Sequence, residues 1–112
     1  MNMRVISSFT FAGIHHWDGA PDDISHLRNP HRHLFHVQIV KDVTHLDRDV
    51  EIILLGKYAR AWMMGSFKRL KCGSLDLGQL SCEMIAEMFV KKLELHSCRV
   101  LEDGENGAEI IA

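Results

Sequence analysis

Apolar residues recur at every second position in two separate stretches of this chain. That period of two commits both stretches to β-structure. In the first, Arg4 to Ile14, β-branched and aromatic residues dominate, and Val5, Phe9 and Phe11 share one parity. In the second, residues 31–43, Phe35, Val37 and Ile39 do the same. Strand side chains alternate between two faces, so each stretch offers one apolar face to a core. The residues between them carry Asp18-Gly19, Pro21, Asp22, Asp23, Asn29 and Pro30, turn chemistry from 17 to 30, and read as a long loop. A loop of this length in a small domain is typically functional or mobile.

The period then changes. After a polar turn at 44–49, Ile52, Ile53, Leu55, Ala59, Trp62 and Met63 recur at intervals of three and four, which predicts a helix over 51–64 with Gly65 as its stop. Residues 65–80, with Gly65, Gly73 and Gly78, read as irregular. Ser81 is an N-cap, Glu83 lies in the first turn after it, and Met84, Ile85, Met88, Phe89 and Leu93 form an apolar stripe reaching about Leu95. Residues 98–103 and 107–111 flank Gly104-Glu105-Asn106 and read as a hairpin. The expected fold is therefore α+β in the order β-β-α-α-β-β, a four-stranded antiparallel sheet with two helices. A chain of 112 residues makes one domain, 1–112.

Composition removes several classes of function. A net charge of −2 leaves no electrostatic footprint for nucleic acid. No apolar run approaches the roughly 18 residues that cross a bilayer, and Met1–Thr10 lacks the pattern of a signal peptide. Cys72, Cys82 and Cys98 are odd in number and have no framework spacing, which suits a reducing cytosol. The expectation is a cytoplasmic protein without nucleic-acid or membrane partners, with Cys82 and Cys98 buried and Cys72 a small filler. Trp62, Met63, Met64, Met84 and Met88 read as helix packing.

Histidine breaks the ordinary pattern. The chain has 8, and all but His96 lie within the first 45 residues. His31 and His33 are two apart on a predicted strand, so both imidazoles face the same side, while His36 faces away. If the two strands pair antiparallel, residues near 15 meet residues 31–33 at one end of the ribbon. Either His15 or His16 then faces the pair. Three neutral imidazoles converging on one point suit zinc, and three protein ligands leave a fourth position for water or substrate.

Several segments resemble the 6-pyruvoyltetrahydropterin synthase / 6-carboxytetrahydropterin synthase family. Phe9-Thr-Phe-Ala-Gly-Ile-His15 is similar to its F-x-F-x-A-A-H opening, and His31-Arg-His33-Leu-Phe-His-Val37 to its H-G-H-x-Y-x-V. Ser81-Cys-Glu-Met-Ile-Ala86 resembles T-S-E-x-L-A, and Arg99-Val-Leu-Glu102 with Asn106-Gly-Ala-Glu109 resembles the C-terminal V-R-V-x-E-T…A-x-Y. The segments follow the family order and span nearly the whole chain. The resemblance implies a tunnelling fold, whose strands close into an oligomeric barrel of trimers or hexamers. It implies His15, His31 and His33 as ligands of Zn2+, and Glu102 as the carboxylate that binds the ring edge of a pterin. The implied activity is that of a lyase on a pterin such as 7,8-dihydroneopterin triphosphate, in 7-deazaguanine or pterin synthesis.

The chain departs from the family at its acid–base machinery. The catalytic cysteine expected four or six residues before His31 is replaced by Leu27 and Ser25, and the L-D-H motif is reduced to Leu75-Asp76-Leu77. General acid–base help is worth about 10²–10⁴-fold, so other groups would have to supply it. His26, Asp23 and Asp76 are the candidates, with His16 and Asp22 near them in sequence. Lys68, Arg69 and Lys71 could meet a triphosphate tail, although they also read as a solvated face. The alternative function is a non-catalytic binder of a pterin, purine or modified nucleotide.

Overall fold

The two alternating stretches pair with each other over their whole length. In a computed structural model describing all 112 residues, β1 (Met3–His15) and β2 (His31–Val43) form an antiparallel ribbon running from Met3 opposite Val43 to His15 opposite His31. Their connection contains a short 3-10 helix, Asp22–Arg28, interrupted where Ile24 leaves helical geometry. Arg28 holds this connection closed by donating to the Ala20 carbonyl at 2.8 Å and to Asp22 Oδ1 at 2.8 Å.

Helix α1 (Ile52–Ser66) follows. Glu51 caps it, its carboxylate accepting from the Ile53 and Leu54 amides, and Leu55, Gly56, Ala59 and Met63 turn inward. β3 (Leu75–Gly78) comes next, then α2 (Cys82–Leu93), β4 (Ser97–Glu102) and β5 (Asn106–Ile111). The Ser81 hydroxyl accepts from the Met84 amide at the start of α2. The helix ends at Glu94 in a left-handed conformation, φ 53°. Cys82, Ile85, Ala86, Phe89, Val90 and Leu93 are its buried face.

The strand order is β3-β1-β2-β4-β5, with β3 parallel to β1 and every other pair antiparallel. Both long helices lie on one face, over Phe11, Phe35, Val37, Ile39, Cys98 and Val100. Phe11 and Phe35 stack with ring centroids 5.3 Å apart. Burying side chains of this size stabilises by about 1.5–3 kcal/mol each. The opposite face carries Ile6 and Leu34, both exposed.

The α+β class agrees with the sequence; the finer architecture does not. The sheet has five strands instead of four and is mixed instead of antiparallel, and there is a third helix, the 3-10 turn between β1 and β2, besides the two α-helices. The extra strand comes from residues expected to be irregular. Leu75 and Leu77 alternate inward and are buried at 0% and 3% exposure, which holds this segment against the outer edge of β1. The sheet also does not form the expected barrel. β3 and β5 stand at opposite edges with four pairings between them, so the chain leaves an open, two-edged sheet and not the tunnelling arrangement. No helix is long and apolar enough to cross a membrane.

Candidate metal centre

At the end of the β1–β2 ribbon the inward alternation continues past the last phenylalanines into histidines. His15 sits opposite His31, and Gly13 opposite His33. A β-carbon on Gly13 would press into Leu77 and the Phe35 ring, so glycine lets β3 and β2 close up beneath the imidazoles. The three rings stand edge to face, with centroids 4.6, 5.4 and 5.0 Å apart for the pairs 15–31, 15–33 and 31–33. β4 then brings Glu102 alongside, through its pairing with Phe35. One ligand atom from each of His15, His31, His33 and Glu102 lies within 4.8 Å of all the others.

Each imidazole has its second nitrogen committed. His15 Nδ1 lies 2.7 Å from the Leu80 carbonyl, and His31 Nδ1 lies 2.8 Å from the Asn29 carbonyl. His33 Nδ1 lies 2.7 Å from Asp103 Oδ2. All three partners are acceptors, so each Nδ1 carries a proton, which leaves the other ring nitrogen as the one able to offer a lone pair to a cation. Metal-binding histidines are oriented in this way by outer partners.

The inner atoms complete the test of fit. His15 Nε2 and His33 Nε2 lie 2.9 and 3.1 Å from Glu102 Oε2. Yet His15 Nε2 is buried without a hydrogen bond. Imidazole nitrogens and a carboxylate oxygen closing on one point, one of them buried without a partner, are a donor set that a divalent cation would satisfy. A tetrahedral ion with bonds of ~2.0–2.1 Å sets its ligands about 3.3 Å apart, close to these separations. The cluster can hold a metal ion.

Compared with models of known protein families and with curated proteins, the chain matches none.

Beside the cluster opens a cavity of about 530 Å3. Its wall includes His15, His31 and Glu102, the first residues of α2, and His16 and Trp17 from the β1–β2 connection. His16 Nε2 faces Asp18 Oδ1 at 3.3 Å. The Gln79 side chain accepts from the Asp18 amide at 3.0 Å and so ties the connection to the loop before α2. Cys82 also lines the cavity, but burial pushes its thiol up to about 12, and the Glu102 and Glu83 carboxylates add to the effect. It is held as an inert thiol.

The structure brings together His15, His31, His33 and Glu102 from the sequence reading, sets His16 on the cavity wall, and leaves His26, Asp23 and Asp76 outside. His26 and Asp23 lie exposed on the 3-10 helix, away from the cavity wall. Asp76 is exposed, and its Oδ1 accepts from the Gly78 amide at 3.3 Å. Neither Lys68, Arg69 nor Lys71 reaches the wall. Cys72 is exposed instead of filling the core, and hydrogen bonds from Ser74 hold its thiol below the usual range. Met84 leaves the packing stripe, half exposed at the cavity.

Asp103 escaped the sequence reading. Its carboxylate accepts from His33 Nδ1 and, at 2.9 Å, from the Leu34 amide. Its own amide donates to the Leu34 carbonyl at 2.8 Å. Those two acceptor bonds, His33 first, hold its carboxyl below the ordinary carboxylate range. It sits in left-handed geometry, φ 55°, which aspartate tolerates better than most residues. The sequence reading put Asp103 at the end of a strand before the Gly104-Glu105-Asn106 turn, and its closeness to His33, seventy positions away, was not visible there.

Proposed function

We propose that the chain is a zinc protein of the 6-carboxytetrahydropterin synthase type, acting on a pterin such as 7,8-dihydroneopterin triphosphate. The supporting observation is the convergence of His15, His31, His33 and Glu102, each Nδ1 held by an acceptor, beside a cavity sized for a small molecule. His15, His31 and His33 hold the zinc, a borderline ion suited to imidazole. When bound, zinc supplies a Lewis acid that polarises a substrate hydroxyl or carbonyl. Glu102 accepts paired hydrogen bonds from the guanidine-like edge of the ring, as a carboxylate does well. His16, with Asp18 at 3.3 Å, takes the proton-moving role left vacant by the missing cysteine.

A second reading has its own support. Cys82, the cysteine at the cavity, is held protonated, and His26, Asp23 and Asp76 lie away from it. That favours a non-catalytic binder of a pterin, purine or modified nucleotide at the same site. The zinc-loaded protein incubated with 7,8-dihydroneopterin triphosphate separates the two. A new pterin product, lost in His16→Ala, supports the enzyme; tight binding without product supports the binder; absence of binding contradicts both. The proposal extends to a homo-oligomer, trimer or hexamer. The two open sheet edges and the exposed Ile6, Leu34 and Ile111 support it, and the mass in solution tests it.

A further inference from the structure

Asp103 and Glu102 are neighbours in sequence and serve the same cluster, but they are held very differently. Asp103 is fixed by two hydrogen bonds to its carboxylate and one from its amide. The Glu102 backbone is equally fixed, paired with Phe35 and Asn106, and its carbonyl accepts from the Glu105 amide at 2.9 Å. Its carboxylate, in contrast, lies 2.9 and 3.1 Å from the Nε2 atoms of His15 and His33 without a hydrogen bond from His15 Nε2, and no backbone amide holds it. It can therefore turn about its side-chain bonds without breaking a protein hydrogen bond. It also borders the cavity, with its side chain 29% exposed.

Two demands fall on this one carboxylate. A cation in the cluster draws Oε2 toward the imidazoles. A donor edge of a small molecule in the cavity draws it outward. We propose that Glu102 is an exchangeable ligand. With the cavity empty it completes a three-histidine, one-carboxylate set around the metal. When a ligand with a guanidine-like edge enters, Glu102 leaves the metal for that edge and frees one coordination position. The metal–carboxylate bond breaks, water or an added anion takes its place, and no electron or proton changes hands. This inference rests on the metal and small-molecule reading above, and it adds the order in which the site opens.

Cobalt(II) reports this directly, because its visible absorption follows the ligand set. The full chain is loaded with Co2+ and titrated with azide, with and without pterin, beside Glu102→Gln. In the wild type, azide leaves the spectrum unchanged until pterin is added. In Glu102→Gln, azide changes it without pterin, and Co2+ affinity falls by at least about tenfold, the scale on which metal-site support is lost. Glu102→Asp, one methylene too short to reach, gives the same azide response and serves if the glutamine variant fails to fold. Azide sensitivity of the wild type without pterin, or unchanged Co2+ affinity in Glu102→Gln, overturns the ligand assignment. Pterin binding that leaves the wild type insensitive to azide overturns the exchange. Failure of pterin to bind, read by calorimetry, overturns the exchange together with the pterin reading, while the Glu102→Gln affinity still decides whether the carboxylate is a ligand.

Discussion

Along β1 and β2 one inward-facing alternation passes through two regions of opposite character. In the middle it carries Phe9, Phe11, Phe35, Val37 and Ile39 beneath the helices, and four of these five are almost wholly buried. At the end it carries Gly13, His15, His31 and His33, with a cavity beside them and a hydrogen-bond acceptor behind each imidazole. The backbone geometry is the same in both. What changes is whether a helix lies over the face. Where α1 and α2 cover the sheet, apolar side chains gain by leaving water; beyond them, imidazoles keep access to a ligand while the same pleat aligns them. A single period of two thus builds the core and delivers the site.

Substitutions in the two regions should therefore fail in different ways. The largest effect is expected from Phe35→Ala, which empties a fully buried site and should cost about 3–5 kcal/mol. Chemical denaturation should show that loss with and without metal. Next is His31→Ala. Its metal-free stability should stay near that of the wild type, because the ring is only half-buried and its partner is the Asn29 carbonyl. The gain of about 2.7 kcal/mol that the wild type draws from metal at a hundred times its Kd should disappear. If His31→Ala weakens the metal-free protein as much as Phe35→Ala does, the distinction between the regions collapses.

Asp103→Asn sharpens the comparison further. It removes the charged acceptor behind His33 while leaving the three imidazoles in place, and zinc affinity should fall about 10–100-fold. Isothermal titration calorimetry measures this, with the thermal midpoint of the metal-free protein as the check on folding.

The smallest effect is a pH dependence carried by the buried thiols, Cys82 at the cavity and Cys98 within the core. Burial pushes the Cys98 thiol up to about 12 from its ordinary 9.0. The folded protein keeps the proton where the unfolded chain releases it. The resulting stability is therefore full below about pH 9 and is lost as pH rises toward 12. Cys98→Val should flatten that slope in alkaline denaturation curves. An unchanged slope would place the titrating group elsewhere.

Much of this was legible because local patterns are strong where one face is buried. β1, β2, both long helices and the final hairpin follow from period, with Ser81 capping α2 as its sequence position suggests, although α1 runs through the expected stop at Gly65 to Ser66. β3 was not legible: four residues among glycines offer two inward leucines and no recognisable period. The 3-10 helix was hidden for a related reason, since Asp22–Arg28 shows turn chemistry without an apolar stripe. Within the site, strand parity put His31 and His33 on one face and left His15 or His16 as the third ring, and the resemblance pointed to His15. Their anchors could not, because the Leu80 and Asn29 groups are backbone carbonyls and Asp103 arrives through the register of β4 on β2. The resemblance that suggested Glu102 also suggested a closed barrel, and the open five-stranded sheet corrects that.

Zinc stoichiometry by equilibrium dialysis tests the metal centre most directly. The purified chain, stripped of metal and dialysed against zinc, should take up one ion per chain. His15→Ala, His31→Ala and His33→Ala should each lose it, while His36→Ala, on the other face of the same strand, should keep it. Failure of the wild type to retain zinc, or retention undiminished in all three inward variants, would contradict a metal centre at this strand end.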